Sequence, residues 1–291
     1  MREYAVADVG SNTMVLIVYQ IHNGIPVAKS RQSVPVHLID YIENGAMSET
    51  GIQKACFTLM TFAGQLDQKR ISFRKAFVTE PARNISNQKE FLNALCRTGF
   101  DVTPLTGQEE AELDFRGSRI TYPDLMQGAA FDVGGGSTEL ISFHDGEIVD
   151  AISIPLGCVR LSHLPLDTPD CRNALLQARS DHKSLNKVWP TLVGIGGTCR
   201  AAGILTDHFF HSGTFMKTSD LKMIYTQLQA DSFEAVTALE KLVDPDRQPL
   251  FLPGVHMILE IANLFDAEII RVSDTGVREG FLLDHLDFLE R

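Results

Sequence analysis

One pattern of apolar and polar positions occurs twice along this chain. In the first copy, Val6-Ala7-Asp8-Val9-Gly10-Ser11-Asn12-Thr13-Met14-Val15-Leu16-Ile17-Val18, two apolar runs flank a short polar turn, which predicts strand, turn, strand. Asn23-Gly24 then supplies the two positive-φ residues of a tight hairpin. The second copy, Ala130-Phe131-Asp132-Val133-Gly134-Gly135-Gly136-Ser137-Thr138-Glu139-Leu140-Ile141, repeats the Asp-Val-Gly start and the hydroxyl-bearing turn, and Asp145-Gly146 follows as its hairpin. Each copy therefore predicts a three-stranded antiparallel meander.

The segments behind the meanders also correspond. After the first, Ser48 can cap a helix whose apolar positions Ile52, Cys56, Leu59, Phe62, Ala63 and Leu66 recur at helical spacing. A strand over 76–79, a helix around Phe91, Leu92 and Leu95, a short strand over 102–105 and a helix from Glu109 complete the order βββαβαβα. The second half predicts helix over 171–186, strand over 191–195, helices near 219–230 and 253–265, strand over 269–273 and a last helix, which Asp274 can cap. Two halves of the same strand and helix order predict an α/β fold of two similar domains facing each other across a cleft. The boundaries read as 1–124 for the first domain and 125–278 for the second, with a terminal helix 279–291 packing back on the first.

Composition narrows the function. Hydrophobic residues at 44% and charged residues at 22% are the balance of an ordinary globular chain, and no run approaches membrane-spanning length. With Asp8 so close to Met1 there is no apolar core for a signal peptide, so the expected location is the cytoplasm and no membrane contact is foreseen. A net charge of −11 argues against a general nucleic-acid binder. Five widely spaced cysteines without a Cys-x-x-Cys pair suggest neither disulfides nor zinc. A homodimer is compatible with all of this.

The candidate chemistry lies in the glycine turns. Gly10-Ser11-Asn12-Thr13 and Gly134-Gly135-Gly136-Ser137-Thr138 offer backbone N–H groups without Cβ obstruction, together with hydroxyls. Either turn alone reads more readily as a tight hairpin that needs positive φ. As a pair, each directly preceded by an aspartate, Asp8 or Asp132, they suit phosphate oxygens and a hard divalent cation. Gly196-Gly197-Thr198 follows an apolar strand and leads into a helix, whose N-terminus would favour an anion or, on the alternative reading, pack closely on the strand.

Taken with Thr79-Glu80-Pro81-Ala82-Arg83, Asn87, Thr106-Gly107-Gln108-Glu109-Glu110-Ala111 and Ser273-Asp274-Thr275-Gly276-Val277-Arg278-Glu279-Gly280, these motifs resemble the exopolyphosphatase and guanosine pentaphosphate phosphohydrolase family over nearly the whole chain. The resemblance implies the actin-like (ribonuclease H-like) domains of the sugar kinase, chaperone ATPase and actin superfamily. It further implies Mg2+, or another hard divalent cation, and hydrolysis of the terminal phosphate of polyphosphate or guanosine pentaphosphate, with Glu110 as the catalytic carboxylate and Arg83 as a clamp on the phosphates. A non-catalytic phosphate or nucleotide sensor of the same fold is the alternative of another class. Helix-terminal acids are ordinary, and the resemblance rather than the spacing selects Glu110 over Glu109. The stretch Val36-His37-Leu38-Ile39-Asp40-Tyr41-Ile42-Glu43 is apolar and acidic where the family is basic and glycine-rich, which implies an altered substrate recognition.

Overall fold

The computed structural model describes residues 2–165 and 168–287. The chain divides into two compact units, Met1–Glu110 with Phe281–Arg291, and Ala111–Gly280.

The first unit opens with strands β1 (Glu3–Val9), β2 (Thr13–His22) and β3 (Ile25–Pro35), joined as an antiparallel meander. The small hairpin β4 (Ile42–Glu43) and β5 (Ala46–Met47) leads to helix α1 (Glu49–Gln68). Strand β6 (Phe73–Val78), helix α2 (Gln88–Leu95), strand β7 (Asp101–Pro104) and helix α3 (Gly107–Thr121) follow. The sheet runs β3-β2-β1-β6-β7, with β1, β6 and β7 parallel. The Asn23-Gly24 turn has positive φ at both residues, as its hairpin type demands. Ser48 caps α1 by accepting from Gly51 N at 3.3 Å, and the helix buries Ala55, Leu59, Phe62, Ala63 and Leu66 against the sheet core. Each fully buried Leu or Phe on that face contributes about 1.5–3 kcal/mol.

The second unit repeats the plan. Strands β8 (Gln127–Val133), β9 (Thr138–His144) and β10 (Glu147–Ile154) form the second meander, again with a positive-φ pair at Asp145-Gly146. Helices α4 (Cys158–Ser162) and α5 (Asp170–Asp181) precede strand β11 (Thr191–Ile195) and helix α6 (Gly196–Phe210). Strand β12 (Phe215–Lys217), helices α7 (Thr218–Gln229), α8 (Phe233–Leu242) and α9 (Gln248–Phe265), strand β13 (Ile269–Val272) and helix α10 (Val277–Asp287) complete the chain. The sheet order is β10-β9-β8-β11-β13-β12, with β8, β11 and β13 parallel.

Three features depart from the pattern-based expectation. Helix α9 begins at Gln248, ahead of the expected 253, and carries Pro253 inside it. Helix α10 is not capped by Asp274: Val277 N donates to Asp114 Oδ1 at 2.8 Å and Gly276 N to Glu279 Oε2 at 2.9 Å. From Ala111 onward, α3 groups with the second unit, ahead of the sequence boundary at 124. Its Ala111 and Phe115 share a core with Tyr122, Phe143 and Val193, and Gly117 lies so close to Gly276 that a Cβ there would sit 1.9 Å from the Gly276 oxygen. Among the described residues, no helix is long and apolar enough to cross a membrane.

Candidate active site

In the first unit the candidate residues collect at the carboxyl ends of the parallel strands, the edge where open α/β sheets bind ligands. Asp8 sits near the end of β1 opposite Phe77 of β6, and Gly10–Thr13 forms the turn that follows. Gly10 N donates to Thr13 O at 3.3 Å, closing the turn. Ser11 is buried, and its hydroxyl donates to Glu80 Oε2 at 2.9 Å. Glu80 opens the short 3-10 turn Glu80–Ala82 that presents Arg83. Arg83 donates through Nε to Leu105 O at 3.2 Å and through Nη2 to Glu110 Oε2. Both side chains of that pair are mostly shielded from solvent, at 15% and 13% exposure, so the guanidinium and carboxylate orient one another.

Glu109 and Glu110 part company at the head of α3. Thr106 and Glu109 form a reciprocal capping box: Glu109 N donates to Thr106 Oγ1 at 3.1 Å, and Thr106 N donates to Glu109 Oε2 at 2.7 Å. Glu109 is thereby committed to the helix end, and Glu110 is the one that meets Arg83. The signal was present in the sequence as Thr-x-x-Glu.

The second unit builds an equivalent turn. Gly134 N donates to Ser137 O at 2.9 Å, matching the Gly10 to Thr13 bond. The carbonyls of Gly134 and Gly135 accept from Cys158 N and Val159 N, each at 2.9 Å, so α4 backs the turn. The hydroxyls nearby are engaged with protein acceptors: Ser137 with Glu139 at 2.7 Å, Thr138 with Leu156 O at 2.7 Å and Thr198 with Val133 O at 2.7 Å. Any anion held there therefore meets main-chain N–H groups and cations first.

Those cations are arginines, and the sequence reading missed their convergence. The pKa of Asp132 is raised by burial, and Arg200, Arg278 and Arg247 pull against that rise. Although Asp132 is only half-buried by surface, protein closes around its carboxyl: a Cβ on Gly196 would lie 2.0 Å from Oδ1. Gly196 also has φ +80°, so glycine is required there twice over. A Cβ on Gly197 would lie 2.3 Å from Arg247 Nη1, which places that guanidinium directly against the N-terminus of α6. Asp114, also unremarked in the sequence, is pushed well above the usual carboxylate range by burial and by the nearby Asp132 and Glu139 charges. Among the described residues, its Oδ2 has no hydrogen-bond partner.

Asp8 and Asp132 offer oxygen ligands, and Mg2+ is commonly held by one or two carboxylates together with substrate phosphates. The residue types fit a hard cation. The predicted residues thus fall into two groups, one in each unit: Asp8, Gly10, Ser11, Asn12, Thr13, Arg83 and Glu110 in the first, and Asp132, Gly134–Thr138 and Gly196–Thr198 in the second.

The sequence model of the Ppx/GppA phosphatase family matches residues 17–288. The chain belongs to that family. It is 26% identical to a putative exopolyphosphatase of Haemophilus influenzae, over 97% of this chain and 91% of that protein. It is 25% identical to a guanosine-5'-triphosphate,3'-diphosphate pyrophosphatase of Aliivibrio fischeri, over 99% of this chain but 60% of that longer protein. A solved structure of an exopolyphosphatase from Cytophaga hutchinsonii superposes with a TM-score of 0.82 at 24% identity, covering 99% of this chain and 98% of that one. The likeness establishes the fold, two units of the actin-like type. Family members hydrolyse phosphoanhydride bonds, and the chain is an enzyme of that class.

Proposed function

We propose that this protein releases the terminal phosphate of inorganic polyphosphate, with Glu110 as the carboxylate that orients the attacking water. The observation that carries the reading is the Arg83–Glu110 pair at the head of α3, on the same strand-end edge as the Gly10–Thr13 turn. Phosphoryl transfer passes through a loose transition state, so positioning and charge neutralisation matter more than a strong base. The turn amides of Gly10–Thr13 and Gly134–Thr138 hold phosphate oxygens, and the N-terminus of α6 adds Gly196, Gly197 and Thr198. When substrate enters, Arg83 shifts part of its hydrogen bonding from Glu110 to the phosphate, leaving the carboxylate to accept from water. Water adds to the terminal phosphorus, the anhydride oxygen leaves with the shortened chain, and one proton passes to solvent. Asp8 and Asp132 are the carboxylates that would hold Mg2+, which would supply charge neutralisation on the phosphates.

Guanosine pentaphosphate is the second reading, favoured by the similarity to the Aliivibrio fischeri pyrophosphatase. The setting is the cytoplasm, where both substrates and Mg2+ would meet the enzyme.

The experiment is phosphate release with Mg2+ from short polyphosphate and from guanosine pentaphosphate, by the unmutated chain and by Glu110→Gln. Polyphosphate turnover that falls about 10²–10⁴-fold in the variant is expected. Release from neither substrate, or an undiminished rate in Glu110→Gln, overturns the reading. Ligand-induced thermal stabilisation without turnover would turn it into a sensor.

A further inference from the structure

The acidic, apolar stretch after β3 has a function that its composition hides. Val36 N and His37 N both donate to Asn12 O, at 2.9 and 2.8 Å, and Ile39 N donates to Ser11 O at 3.1 Å. This segment braces the first glycine turn as residues 158–160 brace the second. His37 takes a left-handed conformation, φ 49° and ψ 46°, which non-glycine residues adopt only when their surroundings hold them there. In that conformation its ring Nδ1 lies 2.7 Å from the side-chain Oδ1 of Asn12. The Asn12 amide Nδ2 faces Thr13 Oγ1 at 3.4 Å. The second unit offers a parallel, since Arg160 of its brace donates through Nε to Gly136 O at 3.1 Å.

We propose that His37 is a positioning residue for phosphate binding, holding the Asn12 carboxamide so that its NH2 edge, and not its oxygen, is presented to the bound phosphate chain. The inference rests on the reading that Gly10–Thr13 binds phosphate. A carboxamide can present either edge. Its oxygen repels an anion and its NH2 attracts one. With an imidazole N–H donating to Oδ1, a half-turn of the amide would set two donors against each other, so the donor edge stays outward. The neutral ring protonated on Nδ1 and the imidazolium both serve, because each carries the proton that the contact requires.

Steady-state kinetics on short polyphosphate test this with His37→Gly, which keeps the left-handed backbone accessible and removes the ring. The expected result is a KM raised about three- to tenfold, the worth of one hydrogen bond, with kcat within twofold. In an Asn12→Ala background, His37→Gly changes KM no further. A KM that does not move in His37→Gly overturns the inference and leaves the hydrolase reading intact, as does an effect that persists undiminished without Asn12. A melting temperature close to the parent's reports that the fold is intact, and His37→Gln, which retains a donor, recovers part of the lost affinity. Should the unmutated chain release no phosphate from either substrate, the hydrolase reading falls. Tripolyphosphate binding by calorimetry then decides: weaker binding in His37→Gly that depends on Asn12 supports the inference, and equal or absent binding in both proteins overturns it.

Discussion

Replacing Gly157 by alanine tests the brace behind the second phosphate turn. Gly157 has φ −119° and ψ −179°, extended backbone that alanine adopts freely, so the substitution acts through contact alone. The added Cβ would lie 2.5 Å from both the Gly134 and the Gly135 oxygens. Ordinary contact distance requires the turn and α4 to separate by somewhat under ~1 Å, an overpacking that costs about 1–3 kcal/mol. Relief by separation stretches the 2.9 Å bonds from Cys158 N and Val159 N, each worth about 1 kcal/mol, so the two routes cost alike. Alanine returns about 0.4–1 kcal/mol by stiffening the unfolded chain. The net loss is about 1–2 kcal/mol, which lowers the melting temperature by roughly 2–8 °C in a unit of this size. The matching control is Gly64→Ala on α1, where nothing among the described residues lies within 4 Å of the new atom and stability should rise by about 0.5–1 kcal/mol. Differential scanning calorimetry reads both, and phosphate-release kinetics should show KM rising more than kcat falls in Gly157→Ala. A Gly157→Ala protein as stable as its parent, with unchanged KM, would refute the reasoning that α4 shapes the turn.

Further outcomes follow from the buried groups. Because the folded-state pKa of Asp114 is raised, the unfolded chain ionises first as pH climbs from about 4, and stability falls until pH passes the folded pKa. Asp114→Asn removes that loss, so its stability relative to the parent should improve as pH climbs from about 4 in urea titrations, and a difference that is flat or falls with pH would contradict the assignment. Burial holds the thiols of Cys158, Cys171 and Cys199 at about 11, about 12 and about 12, while Cys96 is exposed. Iodoacetamide followed by peptide mass spectrometry should label Cys96 first and those three only on unfolding. Arg83→Ala leaves Glu110 without the partner that orients it and should cost about 10²-fold or more in kcat/KM for polyphosphate, whereas Arg83→Lys should recover only part of it. Chelating Mg2+ with EDTA should abolish phosphate release and re-addition restore it.

What could be read from the chain was whatever is local. The Asn23-Gly24 and Asp145-Gly146 turns announce their own φ signs, and the alternation around them gives both meanders. Some elements escaped: α4 and β12 carry too few residues to show a period, α8 went unread, and α9 begins at Gln248, ahead of the expected 253. In the candidate site, the glycine turns were legible because glycine has few other uses before a hydroxyl-rich corner. The contacts that tune them were not. Arg247 reaches the Gly197 backbone, Asp114 caps α10 and His37 meets Asn12 across separations set only by the tertiary fold. The Thr106–Glu109 capping box was the exception, a local signal that could have separated Glu109 from Glu110 without any relative.

The route of the chain has a further consequence for biosynthesis. Phe281, in α10, packs its ring against Phe77 of β6, centroids 4.9 Å apart, and groups with the residues up to Glu110. The second unit is contiguous, from Ala111 to Gly280. A ribosome therefore emits the first unit's sheet early yet withholds one of its aromatic core residues until some 170 residues later, a span set by those two boundaries. The part translated first is the last to be completed, and released chains that end just before Phe281 should bury a finished second unit while the first still exposes the surface around Phe77.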